Sequence, residues 1–180
     1  MLDINNPVAI ACASGGFKAI FVHGVLSAFE EANFRPDAYS AASASVVVAA
    51  LANVSQASQA GINYWLKGLE MYTHTKSMSQ VSLAGIDYFN THGGEELFQS
   101  QKSQFYIAAS AVTNDEIAEQ TQSKQARRLG KKLLIAAAKN EPSWIKRHLR
   151  LDLFSTTAKD NLALNRDNFS EVAYASTRML

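Results

Sequence analysis

The hydrophobic pattern at the start of the chain consists of two short apolar runs, each followed by a longer periodic stretch. One run covers Val8 to Ala13, and the second ends at Ser40. After each run comes a turn, and then a stretch whose apolar residues recur every three or four positions, which is the spacing of a helix. This order predicts a βαβ unit with parallel strands. Both turns are therefore expected at the carboxyl edge of one sheet.

The two helices of this unit are predicted to be buried to different extents. The first covers Phe17 to Asn33, and its apolar spacing predicts one continuous buried stripe. The second covers Val46 to Ala60, and its alanine and valine content is typical of a helix enclosed between a sheet and other elements. The members of the stripe are Ile20, Phe21, Gly24, Val25, Ala28, Phe29 and Ala32.

The remaining pattern predicts further helices and strands. Helices are expected at residues 62–75 and 167–176, strands at 105–112 and 151–156, and a mixed segment at 80–94. Residues 115–140 form a helical segment, either as one helix or as two divided at Gly130. We therefore predict an α/β protein with a mainly parallel central sheet flanked by helices, in a single domain over residues 1–180.

Composition narrows the classes of protein that fit this pattern. With 180 residues, 47% of them hydrophobic and 18% charged, the chain can bury a core. A net charge of +1 argues against a nucleic-acid partner. From Lys124 to Arg150, however, nearly every charged residue is basic, with Glu141 the one acid. Two interpretations stay open, a solvated helix face or attraction to an anionic surface such as phospholipid headgroups.

Other single residues carry weaker signals. Cys12 is the only cysteine, so no intramolecular disulfide is possible, and a buried hydrophobic role is expected. No apolar run reaches the length of a membrane span, and a cytoplasmic location, with peripheral contact to membranes, is expected. The histidines show no ligand spacing, so no metal site is predicted, and His23 is expected to be packed. Three aromatic residues are expected in the core or in an acyl pocket: Tyr64, Trp65 and Tyr72.

The two turns carry the candidate chemistry. Gly15 and Gly16 would present backbone N–H groups at the start of a helix, where a phosphate or a tetrahedral oxyanion is stabilised. Ser43 follows the second run, and two interpretations apply to it. It is either an N-cap or a nucleophile on a sharp turn, which requires small neighbours such as Ala41 and Ser45.

The residues of and between the two turns resemble the amino-terminal part of the patatin-like phospholipases. The resemblance covers roughly the first quarter of the chain. The resemblance implies a three-layer fold and a Ser-Asp dyad without histidine, in which Ser43 attacks lipid or phospholipid esters, with no cofactor. It implies an oxyanion hole from Gly15, Gly16 and Phe17, with Lys18 fixing the loop. The matching stretches are Ser14-Gly15-Gly16-Phe17-Lys18, Gly24-Val25-Leu26, Phe29-Glu30-Glu31, Pro36-Asp37 and Ala41-Ala42-Ser43-Ala44-Ser45.

The chain departs from that family pattern at several positions. Ser14 and Ala19 replace outer glycines of the loop, and Ala41 and Ser45 replace both glycines around the serine. No Asp-Gly-Gly or Asp-Gly-Ala occurs, so we expect a fold incomplete at its carboxyl terminus with the aspartate beyond Leu180. The alternatives are an inactive relative that binds or scaffolds, and an anion- or nucleotide-binding domain that uses the glycine turn.

Overall fold

The computed structural model describes residues 6–99, 102–123 and 125–178, which form two compact units. The described residues of the first unit lie within Met1–Ala109 and Leu153–Thr177. Those of the second unit lie within Ser110–Asp152, together with Arg178. Lys124, part of the basic run, lies outside the described residues.

A four-stranded sheet in the order β1-β2-β3-β4 organises the fold. Strand β1 pairs with β2 in parallel, and β2 pairs with β3 in parallel. Strand β4 runs antiparallel to β3, because Thr156 N–H donates to the Phe105 carbonyl while Thr113 N–H donates to the His148 carbonyl. The strands are β1 Ala9–Cys12, β2 Ala38–Ala42, β3 Gln104–Val112 and β4 Leu149–Ser155.

Helices flank this sheet, so the predicted α/β class with a mainly parallel sheet is confirmed. The three-layer patatin-type architecture stays a prediction. A 3₁₀ turn at Gly16–Lys18 leads into the first helix. The helices are α1 Ala19–Glu31, α2 Ser45–Asn53, α3 Ala57–Thr75, α4 Met78–His92, α5 Glu96–Gln99, α6 Asp115–Gln122, α7 Ala126–Ala138, α8 Pro142–His148 and α9 Phe169–Thr177. Within the described ranges, none is long and apolar enough to cross a bilayer.

Three element boundaries differ from those predicted. Helix α2 ends at Asn53, and Ser55 in left-handed conformation closes it, so the predicted helix at 46–60 is two helices. The mixed segment at 80–94 is the regular helix α4, with Ser77 accepting the Gln80 N–H at its start. Helices α6 and α7 are separate, but Gly130 lies inside α7 rather than at the division.

The predicted buried side of α1 is wrong. Phe21 is 76% exposed, and Ile20 and Val25 are exposed as well. The helix instead buries Ala19, His23 and Leu26 against α2 and α3. Helix α2 is enclosed as predicted, with all nine of its residues buried. It forms the centre of the core that holds the two turns in place.

Candidate functional site

The two turns singled out in the sequence lie side by side at one edge of the sheet. Cys12 and Ala41 are paired in the parallel register of β1 and β2, so the chain leaves both strands at the same edge. A hydrogen bond then joins the turns directly, because the Ser45 hydroxyl donates to the Ala13 carbonyl at 2.5 Å. Ser45 is fully buried, and this bond satisfies its hydroxyl.

Ser43 has a left-handed backbone, with φ of 57°, between β2 and α2. This region is uncommon for a residue with a side chain and costs about 1–2 kcal/mol. Four other described residues besides glycine share it, and each follows the last turn of a helix, where it is ordinary: Asn33, Ser55, Lys76 and Asn140. Among the described residues other than glycine, Ser43 alone uses it to enter a helix.

The Ser43 turn is anchored through its backbone to a distant helix. Its N–H donates to the Ser176 hydroxyl at 2.9 Å, and that hydroxyl donates to the Ala108 carbonyl at 2.7 Å. A single side chain on α9 therefore connects the turn to β3. In the sequence, Ser176 is a serine at the end of the helix predicted at residues 167–176, and no pattern indicated this contact.

The two glycines of the turn differ, because Gly16 is suited to its backbone conformation whereas a side chain at Gly15 would be crowded. Gly16 has φ of 54°, and a Cβ built there meets nothing within 4 Å. At Gly15 a Cβ would lie 3.3 Å from the Lys18 Cβ, and the Lys18 N–H donates to the Gly15 carbonyl at 3.0 Å. In the described chain, no acceptor is hydrogen-bonded to the N–H groups of Gly15, Gly16 or Phe17. These donors are available to an anion.

A cavity of about 410 Å³ opens beside the two turns, in the first unit. Gly16 and Phe17 of the glycine turn line it, and so does Ala44, the residue after Ser43. Most of its remaining wall comes from apolar and aromatic side chains of α3 and α4, among them Tyr64, Trp65, Met71, Met78, Val81 and Tyr88. Apolar walls with few polar groups are typical of pockets for small apolar ligands.

Polar side chains of α3 also line the cavity. Lys67, Glu70 and His74 lie there on successive turns of α3. The His74 Nε2 is 4.0 Å from the Glu70 Oε1, and both side chains are about three-quarters exposed, at 74% and 73%. This part of the wall is suited to the polar portion of a ligand, while the aromatic part is suited to an apolar chain.

His23 is buried behind the cavity and supports its wall. Its Nδ1 accepts from the Trp65 indole N–H at 2.7 Å, and its Nε2 donates to the Ala57 carbonyl at 2.8 Å. Burial lowers the pKa of His23, and the Ala57 carbonyl and Glu30 oppose that shift. His23 is therefore packed, as predicted, and both of its ring nitrogens are hydrogen-bonded.

Two of the predicted aromatic residues, Tyr64 and Trp65, both pack in the protein and line the cavity. Tyr72 contacts Phe17 edge to face, with ring centroids 6.1 Å apart. Cys12 is buried as predicted, and burial raises the pKa of its thiol to about 11. That thiol is therefore a poor nucleophile.

The described carboxylates are not paired with the candidate serine. Both carboxylate oxygens of Asp152 accept from the Arg150 guanidinium, and this hydrogen bonding holds the pKa of Asp152 below its usual range. Asp160 accepts the N–H of Leu162. Within the described ranges, no hydrogen bond joins an aspartate to Ser43.

Comparisons of this chain with models of known protein families, with characterised proteins and with solved structures gave no match. The geometry of the two turns is therefore the basis for a functional proposal. The structure brings the Ser43 turn and the Gly15-Gly16 turn together at one edge of the sheet, with the cavity beside them.

Proposed function

We infer that this protein is a serine acyl hydrolase that acts on lipid-like esters, with Ser43 as the nucleophile. The observation that supports this most strongly is the left-handed backbone of Ser43 between a strand and a helix. In the nucleophile turns of α/β hydrolases, a strained turn between a strand and a helix places the serine hydroxyl at the tip of the turn. A plain N-cap has an extended backbone, so an N-cap role does not require this conformation.

The glycine turn supplies the second part of the reaction. When the Ser43 oxygen attacks an ester carbonyl, the carbonyl oxygen becomes an anion that needs preorganised donors. The N–H groups of Gly15, Gly16 and Phe17 would hold it, at the start of the continuous helical segment that runs from Gly16 to Glu31. Lys18 would keep the loop closed through its backbone bond to Gly15.

The cavity supports an apolar acyl group as the substrate. Its lining includes Gly16 and Phe17 of the proposed oxyanion loop and Ala44 next to the nucleophile. An acyl chain that enters the cavity would thus have its carbonyl carbon near both turns. After the attack, the alcohol leaves and water releases the acyl group from Ser43.

The proton of the Ser43 hydroxyl needs an acceptor. The family resemblance implies an aspartate, and no described carboxylate is hydrogen-bonded to Ser43. This observation favours a second candidate, a protein of the same fold that binds an apolar ligand in the cavity without hydrolysing it. The replacement of both elbow glycines, by Ala41 and Ser45, favours that candidate as well.

Hydrolysis of nitrophenyl esters separates the two candidates. We expect the wild-type chain to hydrolyse the octanoate ester faster than the acetate ester, and Ser43→Ala to lower either rate by at least about 10⁴-fold. Ser82→Ala is the matched control, because Ser82 lines the cavity wall on α4. Its rate should stay close to that of the wild type.

A fluorophosphonate probe gives an independent readout, because it labels only activated serines. Labelling of Ser43, identified by mass spectrometry and lost in Ser43→Ala, would support the hydrolase. Absence of both labelling and hydrolysis, with a fluorescent fatty acid still bound in the cavity, would establish the binding protein instead.

A further inference from the structure

The second unit carries a concentration of basic side chains on adjacent helices. Helices α7 and α8 and the link between them expose Arg128, Lys131, Lys132, Lys139, Lys146 and Arg147. Glu141 is the one acidic residue between Ala126 and His148. Arg150 is not counted, because Asp152 neutralises it through a two-point ion pair. Along α7, α8 and their link, the basic side chains therefore outnumber the acids. The exposed acids of the neighbouring helix α6, which packs against α7, are Asp115, Glu116 and Glu119.

The outward side of α7 is apolar as well as basic. Leu134 is 73% exposed and Ile135 is 54% exposed, whereas Leu129 and Ala136 are buried on the inward side. Residues four apart lie next to each other on a helix surface. Ile135 therefore lies between two lysines, Lys131 before it and Lys139 after it.

The presence of both basic and exposed aliphatic side chains on α7 helps to decide which anionic partner this surface binds. A nucleic-acid backbone is bound by basic and polar groups, and exposed aliphatic side chains at the centre of such a surface would be left against phosphates. An anionic bilayer accepts both, because lysines contact the headgroup phosphates while aliphatic side chains enter the boundary of the acyl chains. The exposure of Leu134 and Ile135 favours the bilayer.

We propose that the outward side of α7 binds the surface of an anionic phospholipid bilayer, with Leu134 and Ile135 inserted and the surrounding lysines and Arg128 on the headgroups. The binding does not depend on Ser43, so it holds whether the protein hydrolyses esters or only binds them. For a lipid hydrolase, it would concentrate the enzyme where its substrate is found.

Cosedimentation of the full chain with vesicles tests this surface. We expect binding to vesicles of phosphatidylcholine with phosphatidylglycerol, little binding to phosphatidylcholine alone, and weakening as salt rises. The double variant Lys131→Glu, Lys132→Glu should bind at least about 25-fold more weakly. The double variant Leu134→Ser, Ile135→Ser should lose at least about tenfold. Ser43→Ala should bind like the wild type.

A matched control is available on the first unit. Ile62 and Leu66 on α3 are 57% and 54% exposed, so Ile62→Ser with Leu66→Ser removes a similar apolar surface from a helix of the first unit. Equal losses from this control and from the α7 variant would overturn the proposal. So would binding to a DNA oligonucleotide in place of vesicles, or conversion of a dimer to a monomer by the α7 variant. Circular dichroism of each variant confirms that it is folded.

Discussion

The two turns at the edge of the sheet share a backbone conformation but not a residue type. Gly16 has φ of 54° and Ser43 has φ of 57°, and each lies between a strand and a helix. Glycine adopts this conformation without steric cost, whereas a side chain costs about 1–2 kcal/mol. One turn therefore uses the residue that fits best, and the other keeps a hydroxyl in spite of the strain. This difference supports a chemical role for Ser43.

The helices that follow the two turns differ in how much of their surface is buried. Helix α1, after the glycine turn, leaves one side exposed, with Phe21 at 76%. Helix α2, after the serine turn, is buried over its whole length. A strained backbone persists only where the surrounding structure holds it in place. The core around α2, together with the Ser176 hydrogen bond, provides that support for Ser43.

The largest expected effect comes from making the two turns alike. Ser43→Gly should abolish hydrolysis, by at least about 10⁴-fold, because the nucleophile is gone. It should nevertheless be more stable than Ser43→Ala by about 1 kcal/mol, since glycine relieves the left-handed strain and alanine does not. Urea unfolding measures this difference. A glycine variant less stable than the alanine variant would show that Ser43 is not strained.

The reverse substitution strains the glycine turn. Gly16→Ala should lower the free energy of unfolding by about 1–2 kcal/mol, because its Cβ meets no atom and only the backbone cost remains. Movement of the oxyanion donors should slow hydrolysis by about 10²–10³-fold. Gly24→Ala is the control on α1, where a Cβ also meets open space but φ is not positive. It should stabilise the helix by about 0.5–1 kcal/mol.

Removing the anchor of the serine turn should lower the stability of the protein, although it removes neither the nucleophile nor the oxyanion donors. Ser176→Ala leaves the Ser43 N–H and the Ala108 carbonyl without their shared partner, which costs about 1–3 kcal/mol in stability. The control is Ser170→Ala on the same helix, where an exposed hydrogen bond from Asn90 is lost. Thermal unfolding measures the stability of both variants. Equal destabilisation of the two would exclude an anchoring role for Ser176.

The smallest effect is expected at His23, on the helix after the glycine turn. Burial lowers the pKa of His23 in the folded protein, so below about pH 6.5 the unfolded chain binds more protons than the folded one. The free energy of unfolding therefore decreases as the pH is lowered through this range. His23→Gln can keep both hydrogen bonds but does not titrate. Its unfolding free energy should therefore change less than that of the wild type between about pH 8 and about pH 5.5. An identical pH dependence in both proteins would contradict this account.

The sheet and the two turns could be predicted because their signals are local. Short apolar runs indicate strands, and Gly15-Gly16 and the small residues around Ser43 indicate turns. The orientation of α1 could not be predicted in the same way. Its polar residue His23 faces inward because Trp65 and the Ala57 carbonyl satisfy it, and both partners lie on a later helix. Hydrophobic spacing alone contains no information about such partners.

The cavity and the Ser176 anchor were missed for a related reason. The cavity forms where α3 and α4 pack near the glycine turn, and the sequence indicated only that Tyr64 and Trp65 were either core or pocket residues. The sequence does not distinguish Ser176 from other serines on helices, and only the structure shows its hydrogen bond with the Ser43 N–H. The side chains that hold the candidate site together thus depend on tertiary contacts rather than on sequence pattern.

The hydrogen bond between Ser43 and Ser176 can form only late in the synthesis of the chain. The two residues are 133 positions apart, and ribosomes deliver the amino-terminal one first. Until residue 176 has emerged and its helix has packed against the rest of the unit, the Ser43 N–H lacks this hydrogen bond. The backbone turn at position 43 therefore gains this hydrogen bond only near the end of synthesis of this unit, well after the strand before it has been made.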